Sequence, residues 1–196
     1  MNNIRFFVFT MLLVMLAALS ATAQTGDATT DKEETSVEKE IAVIETNHGT
    51  IEIEFFREDA PKTVENFVQL AKKGYFDGVT FHRVISGFMI QGGDPTGSGS
   101  GGESIYGKSF DDEIDADSPL YETGYKRGIM AMANRGPNTN SSQFFIMHKD
   151  YNLPPSYTIF ARVISGMDTV DKIAAVPTDS RDRPKSDVVM NKVTIK

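Results

Sequence analysis

Apolar and polar residues alternate in two distinct rhythms along this chain, and each rhythm names an element. Ile41 to Thr46 is apolar and β-branched. Asn47, His48 and Gly49 then form a turn signal, and Thr50 to Phe55 alternates with a period of two. The pair reads as a β-hairpin with one buried face. Pro61 follows Asp59 and Ala60 at a first helical position. Val64, Phe67, Val68 and Ala71 then fall at helical spacing, and Gly74 supplies a stop. Further short strands are predicted at Val79–Ile85, Phe88–Gln91, Gly128–Ala133, Gln143–His148, Thr158–Ile164 and Val188–Ile195. A second helix follows Ser165 and Gly166, with Met167, Val170, Ile173 and Ala174 on one face. Closely spaced strands with two separated helices predict a mainly β fold, a closed antiparallel barrel capped by two helices. The absence of βαβ alternation argues against a doubly wound sheet.

The first 40 residues follow neither rhythm. Arg5 precedes an apolar run from Phe6 to Leu19, and Ala21 and Ala23 are small residues at the −3 and −1 positions of a cleavage site before Gln24. Residues 1–23 are therefore read as a signal peptide, because the run is shorter than the roughly 20 residues a spanning helix needs. Residues 24–40 hold six acidic residues and one large apolar residue, Val37. They are read as an acidic flexible linker that cannot bury enough surface to offset the entropy of ordering. Residues 41–196 form the domain. The expected location is exported, periplasmic or secreted from a bacterium, with no stable membrane insertion after cleavage.

Composition narrows the chemistry. The net charge of −7 disfavours nucleic acid as a partner. With no cysteine there is no disulfide, thiolate zinc site or cysteine nucleophile. No cofactor is expected. The Gly/Ser run at 97–102 lacks the strand and helix that would place it on a phosphate, and reads as a flexible loop. Asp111, Glu113, Asp115, Asp117 and Glu122 mimic calcium-loop spacing, but Ala116 stands where the turn needs glycine and Pro119 interrupts; an acidic surface turn is expected. His48, His82 and His148 are too scattered for a zinc motif, and His82 is expected to be a partly buried, hydrogen-bonded residue. Ser141 and Ser142 lie outside any nucleophile elbow.

Two segments resist a purely structural reading. Strand alternation places Phe81, Arg83 and Ile85 on one face, with Phe88, Met89 and Gln91 close by after a short connection. The segment from Met132 to Ile146 adds Asn134, Gln143 and Phe145 around a turn-rich loop. A cation, several amides and apolar shelves together suggest a peptide-binding groove.

These segments resemble the signature of the cyclophilin-type peptidyl-prolyl isomerases. The resembling stretches are FHRVISGFMIQGGD at 81–94, GSGGESIYG at 99–107 and MANRGPNTNSSQFFI at 132–146, with the segment Ala60–Phe67 similar to the family's first helix. The resemblance covers the domain from Ile41 to Lys196. It implies an eight-stranded antiparallel barrel and rotation about X–Pro bonds in unfolded or exported polypeptides. By resemblance, Arg83, Gln91 and Asn134 are catalytic, with Arg83 stabilising the twisted prolyl amide. Phe88, Met89, Phe145 and Leu153 would hold the proline ring. Ala133, Arg135 and Gln143 would line the groove for preceding residues. The sequence departs from the family pattern at Tyr157, which aligns with a pocket histidine, and at Tyr151 and Asn152, which precede Leu153 where tryptophan is common. Weakened cyclosporin affinity is expected from the missing tryptophan, and a preference for acidic substrates from Arg135. The rival reading is a proline-peptide binding module or holdase with incidental isomerisation. A monomer is expected.

Overall fold

The computed structural model describes residues 40–196. The signal-peptide region and all of the linker but Glu40 lie outside the described residues. Eight strands form one antiparallel sheet: β1 (Ile41–Thr46), β2 (Gly49–Phe55), β3 (Arg83–Ile85), β4 (Met89–Gly92), β5 (Ile129–Met132), β6 (Phe144–Met147), β7 (Ile159–Ser165) and β8 (Met190–Ile195). Their order across the sheet is β3-β4-β6-β5-β7-β2-β1-β8. Three helices accompany them, α1 (Pro61–Lys72), α2 (Pro119–Thr123) and α3 (Met167–Ala174).

Two expectations are corrected here. The sheet curls, but its outer strands β3 and β8 do not form a closing ladder. They are joined beside β3 rather than along it, by an isolated bridge between Thr80 and Val189, by the Phe81 N–H donating to the Val188 carbonyl, and by Met190 of β8, whose N–H donates to the Val79 carbonyl and whose carbonyl accepts the Gly78 N–H. The physical reason is local. Phe81 and His82 leave strand geometry, so the predicted strand from Val79 shrinks to three residues. The second correction is α2, a short third helix that begins at Pro119, the residue expected only to interrupt a turn. Proline is favoured in the first helical turn because its missing N–H would be unsatisfied there anyway.

The core is built around α1. Its apolar face buries Val64, Phe67, Val68, Leu70 and Ala71. The Phe67 ring is the hub: it lies 4.9 Å from Phe76, 5.6 Å from Phe144, 5.7 Å from Phe160 and 5.8 Å from Phe55. These separations and tilts suit the aromatic quadrupole. The N-terminus of α1 has no cap from Ala60. Glu113, 50 residues away, supplies it instead: its carboxylate accepts from the Lys62 N–H at 3.0 Å, the Thr63 N–H at 2.8 Å and the Thr63 hydroxyl at 2.8 Å. An anion there meets both unpaired N–H groups and the positive end of the helix dipole. The acidic segment is thus partly structural, and no group of three potential metal ligands gathers among the described residues.

Gly166 caps the start of α3, with φ of +87°. A Cβ at this position would lie 2.1 Å from the Thr50 carbonyl oxygen, so only glycine lets α3 leave β7 so close to β2. The two ends of the domain meet: the Ile41 N–H donates to the Lys196 carbonyl at 3.0 Å, and the Lys196 N–H returns a bond at 2.9 Å.

Replacing Phe67 with alanine should cost about 3–5 kcal/mol, because four aromatic neighbours lose their common partner. Urea unfolding of the variant checks this; an unchanged midpoint would show that the cluster is not the core's centre.

Candidate active site

The site begins with register. Arg83 in β3 pairs with Gln91 in β4, Gln91 with Phe145 in β6, and Phe145 with Ala131 in β5. Directly opposed residues in an antiparallel sheet share a face. These four therefore form one row on the outer face of the sheet. The neighbouring row, Val84, Ile90, Ile146 and Met130, is buried in the core. A period of two sends the rows to opposite sides. Phe81 is not on the Arg83 face as expected: it is fully buried, because the chain is irregular at residues 81–82.

Loops complete the outer row into a concave cavity of about 240 Å³. Nine of the eleven candidate side chains line it: Arg83, Phe88, Met89, Gln91, Ala133, Asn134, Phe145, Leu153 and Tyr157. The other two, Arg135 and Gln143, line a smaller recess beside it with Gln91, Ala133 and Asn134. Gln91 and Gln143 are coupled, with the Gln91 amide donating to Gln143 at 3.0 Å and the Gln143 amide donating to the Gly101 carbonyl at 2.8 Å. The Asn134 side chain is already engaged. Its amide donates to the Ser156 carbonyl at 2.8 Å and its carbonyl accepts the Gly136 N–H. Each bond uses one of the two donors and one of the two lone pairs of the amide, so Asn134 keeps a donor and an acceptor for a ligand. Arg135 rests against the glycine loop, donating to the Gly99 carbonyl at 3.2 Å.

Several supporting residues carry no motif of their own. Tyr157 stands edge-on to Phe145, with ring centroids 5.5 Å apart. Tyr125 fixes its backbone from both sides: the Tyr125 hydroxyl donates to the Tyr157 carbonyl at 2.9 Å and accepts the Tyr157 N–H at 3.2 Å. Tyr121 donates to the same carbonyl and accepts the Ile159 N–H at 2.9 Å. Burial pushes the Tyr125 phenol up to about 12, so it stays protonated and able to donate. Burial likewise raises Tyr121. Their four-residue spacing behind Pro119 was the available sequence signal. Tyr151 is half exposed and packs on Phe88 with centroids 4.5 Å apart, which extends the apolar shelf.

The glycine loop is held by Asp94. Burial alone would raise this carboxyl. Donors from Gly101, the Thr96 hydroxyl and N–H, and the Gly99 backbone outweigh burial and hold it at about 2. The loop expected to be flexible is thus wrapped around a buried anion. His82 also differs from expectation: it is buried, and neither ring nitrogen has a hydrogen-bond partner.

The turn that presents Phe88 and Met89 is clamped by His148. Its Nδ1 accepts the Gly87 N–H at 2.9 Å, its Nε2 lies 3.2 Å from Asp171, and its main-chain N–H donates to the Phe88 carbonyl at 2.8 Å. Arg127 grips Asp171 with two bonds of 2.7 and 2.8 Å, and donates to the His148 carbonyl at 2.7 Å. This arrangement needs a neutral imidazole, which accepts at one nitrogen and donates at the other.

The comparisons with known proteins agree with this geometry. Residues 41–195 match the family model described as cyclophilin type peptidyl-prolyl cis-trans isomerase/CLD. The chain belongs to the cyclophilin family. It is 56% identical over 142 residues to the peptidyl-prolyl cis-trans isomerase ppi1 of Schizosaccharomyces pombe, covering 72% of this chain and 89% of that protein. It is 51% identical over 146 residues to the mouse peptidyl-prolyl cis-trans isomerase-like 1, covering 74% and 86%. Among solved structures, a Cryptosporidium parvum cyclophilin type isomerase superposes with a TM-score of 0.75 at 41% identity, covering 80% of this chain and 97% of that one. A second structure of that protein, in the presence of the dipeptide Ala-Pro, gives 0.74. These cyclophilins come from eukaryotes, so they add nothing to the bacterial export read from residues 1–23.

The His148 clamp has a pH consequence. Burial lowers the His148 pKa below its ordinary 6.5; Asp171 opposes this, while Lys149 and Arg127 reinforce it. A depressed histidine stabilises the fold fully above the unfolded value, and that contribution is lost as pH falls through the folded value. Stability measured by chemical denaturation should therefore fall between pH 7 and pH 5. His148→Gln can make both ring-nitrogen bonds without a titrating proton and should lose less. The remaining slope belongs to His82, whose pKa burial also lowers. Identical slopes in both proteins would remove His148 from this role.

Proposed function

We propose that this cyclophilin accelerates cis–trans rotation about X–Pro bonds in polypeptides, with Arg83 as the residue that stabilises the twisted amide. The observation that carries the reading is the placement of Arg83 in the wall of a cavity that also holds the apolar side chains of Phe88, Met89, Phe145 and Leu153. Its Nε lies 3.5 Å from Asp182 and its side chain is 44% exposed, so the terminal nitrogens are free to meet a ligand. The Ala-Pro dipeptide named with the related Cryptosporidium structure supports proline as the ligand class.

The chemistry follows from amide resonance. The rotational barrier is about 18–20 kcal/mol because the C–N bond is partly double. Pyramidal geometry at the prolyl nitrogen localises its lone pair and breaks that resonance. A guanidinium fork beside the nitrogen favours the localised form, and it needs no covalent step. Phe88, Met89, Phe145 and Leu153 hold the ring while Gln91 and Asn134 hold the flanking backbone. Tyr157 closes the cavity edge-on to Phe145, and its phenol can donate one hydrogen bond. Tyr151 covers only one ring's width beside Phe88, which supports a weakened fit for cyclosporin.

Arg135 keeps donors free beyond its bond to Gly99, and an acidic residue before the proline would meet them. Equal turnover of acidic and basic peptides at that position would overturn this preference. The enzyme acts as a monomer on exported chains, released from its signal peptide before Gln24. The sequence of residues 1–23 supports this, and a mature protein that retains Met1 would overturn it.

The deciding experiment is the cis-to-trans rate of a short X–Pro peptide with the full chain and with Arg83→Ala. The variant should lose about 10²–10³-fold in kcat/KM, the scale of one preorganised donor, while still binding the peptide. Acceleration that survives in Arg83→Ala would remove Arg83 from the mechanism. Binding without acceleration in the native chain would instead establish a proline-peptide binding module or holdase.

A further inference from the structure

Past Arg83 and Gln91 the proline cavity adjoins another recess, of about 280 Å³. Its walls carry three guanidinium groups, those of Arg83, Arg181 and Arg183, and His82 lies beneath them. In a chain of net charge −7 such a gathering of cations stands out.

The turn that displays Arg181 and Arg183 is fixed by its backbone. The Asp179 carboxylate accepts the N–H groups of Arg181 at 2.8 Å and Arg183 at 3.0 Å. The Asp179 N–H donates to the Arg183 carbonyl at 2.8 Å, and the Val84 N–H donates to the Asp182 carbonyl at 2.8 Å. The last bond ties the turn to β3. Asp182 adopts a left-handed φ of +62°, which aspartate tolerates better than most residues.

Nearby carboxylates are committed elsewhere. Asp182 faces the Arg83 Nε, Asp94 holds the glycine loop, and Asp179 holds two amides while the charges of Arg181 and Arg183 act on it from beyond ion-pair distance. Among the described residues, neither Arg181 nor Arg183 lies within ion-pairing distance of a carboxylate. His82 reports the same local potential: burial opposes its protonation, the charges of Arg183 and Arg83 add to that, and Asp94 and the Thr80 main chain favour it. Its ring nitrogens have no partner. Guanidinium forks match carboxylate and phosphate oxygens in pairs, and a cleft focuses their combined field.

We propose that this recess is a subsite for an anionic group, a carboxylate or a phosphate, on the same polypeptide whose proline enters the adjoining cavity. The inference rests on the isomerase reading of that cavity. Arg83 and Gln91 line both spaces, so the anion lies within about three residues of the proline, given roughly 3.5 Å of chain per residue. The recess at Arg135 meets this subsite at Gln91 and Gly99 but extends away from it, toward Thr139 and Gln143.

The test walks a single glutamate from three positions before the proline to three positions after it, each peptide matched by a glutamine control. Both kcat/KM and the equilibrium Kd are measured with the full chain. One position should favour glutamate about tenfold, the gain expected of a charge-assisted pair. The combined Arg181→Gln and Arg183→Gln variant should bring that ratio to about one and leave turnover of the glutamine peptides unchanged. A phosphoserine peptide at the same position separates the two sources. Tighter binding than glutamate assigns the recess to a phosphate, and equal or weaker binding assigns it to a carboxylate. The inference is overturned if no position favours glutamate, if the preference survives in the double variant, or if it is lost only in Arg135→Gln. Failure of the isomerase reading is distinguishable, because the Kd ratio is read without turnover.

Discussion

Everything at the site depends on the alternation of rows across β3, β4, β6 and β5. A strand cannot send neighbouring side chains to the same side of a pleated sheet. Phe144 and Phe145 are adjacent in sequence, yet the first packs edge-on against Phe67 and the second lines the cavity. The inner row is fixed by the aromatic core on α1, so the outer row is fixed with it. A one-residue slip of β4 would bury Gln91 and expel Ile90, and both changes are costly. The groove is therefore held in register by hydrophobic burial on the opposite face.

What the sheet fixes as a row, long-range polar contacts complete as a concave surface. Glu113 caps α1, Asp94 gathers the glycine loop, Tyr125 and Tyr121 pin Tyr157, and His148 clamps the Phe88 turn. Each of these ties joins segments distant in sequence or closes a loop without regular structure. A loop positioned this way can hold a ligand-facing group steadily, since its backbone polar groups have partners other than the ligand.

This division explains what could be read from the amino-acid order. Local periodicity marks α1, through Val64, Phe67, Val68 and Ala71, and it marks the hairpin of β1 and β2. Family motifs point to Arg83, Gln91 and Phe145, which the register then brings side by side. Periodicity fails where the chain is irregular, as at Phe81 and His82, and a strand pattern then places a core ring on the wrong face. It also fails for charges. Glu113 looks like a surface carboxylate in sequence because its partner Thr63 enters only with the tertiary fold. Closure is not legible in sequence for a similar reason: whether the two outer strands pair depends on a junction near Thr80 and Val189 that no local pattern describes.

The meeting of Ile41 with Lys196 has a consequence for how the molecule comes into being. β1 is the first strand of the domain to leave the ribosome, and one of its two neighbours, β8, is the last. At roughly 5–20 residues per second, the first strand waits on the order of ten seconds for that neighbour. Through that interval one side of β1 lacks its backbone partners, and the sheet can be finished only after the whole chain has been made. An enzyme assembled to act on slow steps in other proteins thus begins with a delay of its own, set by strand order.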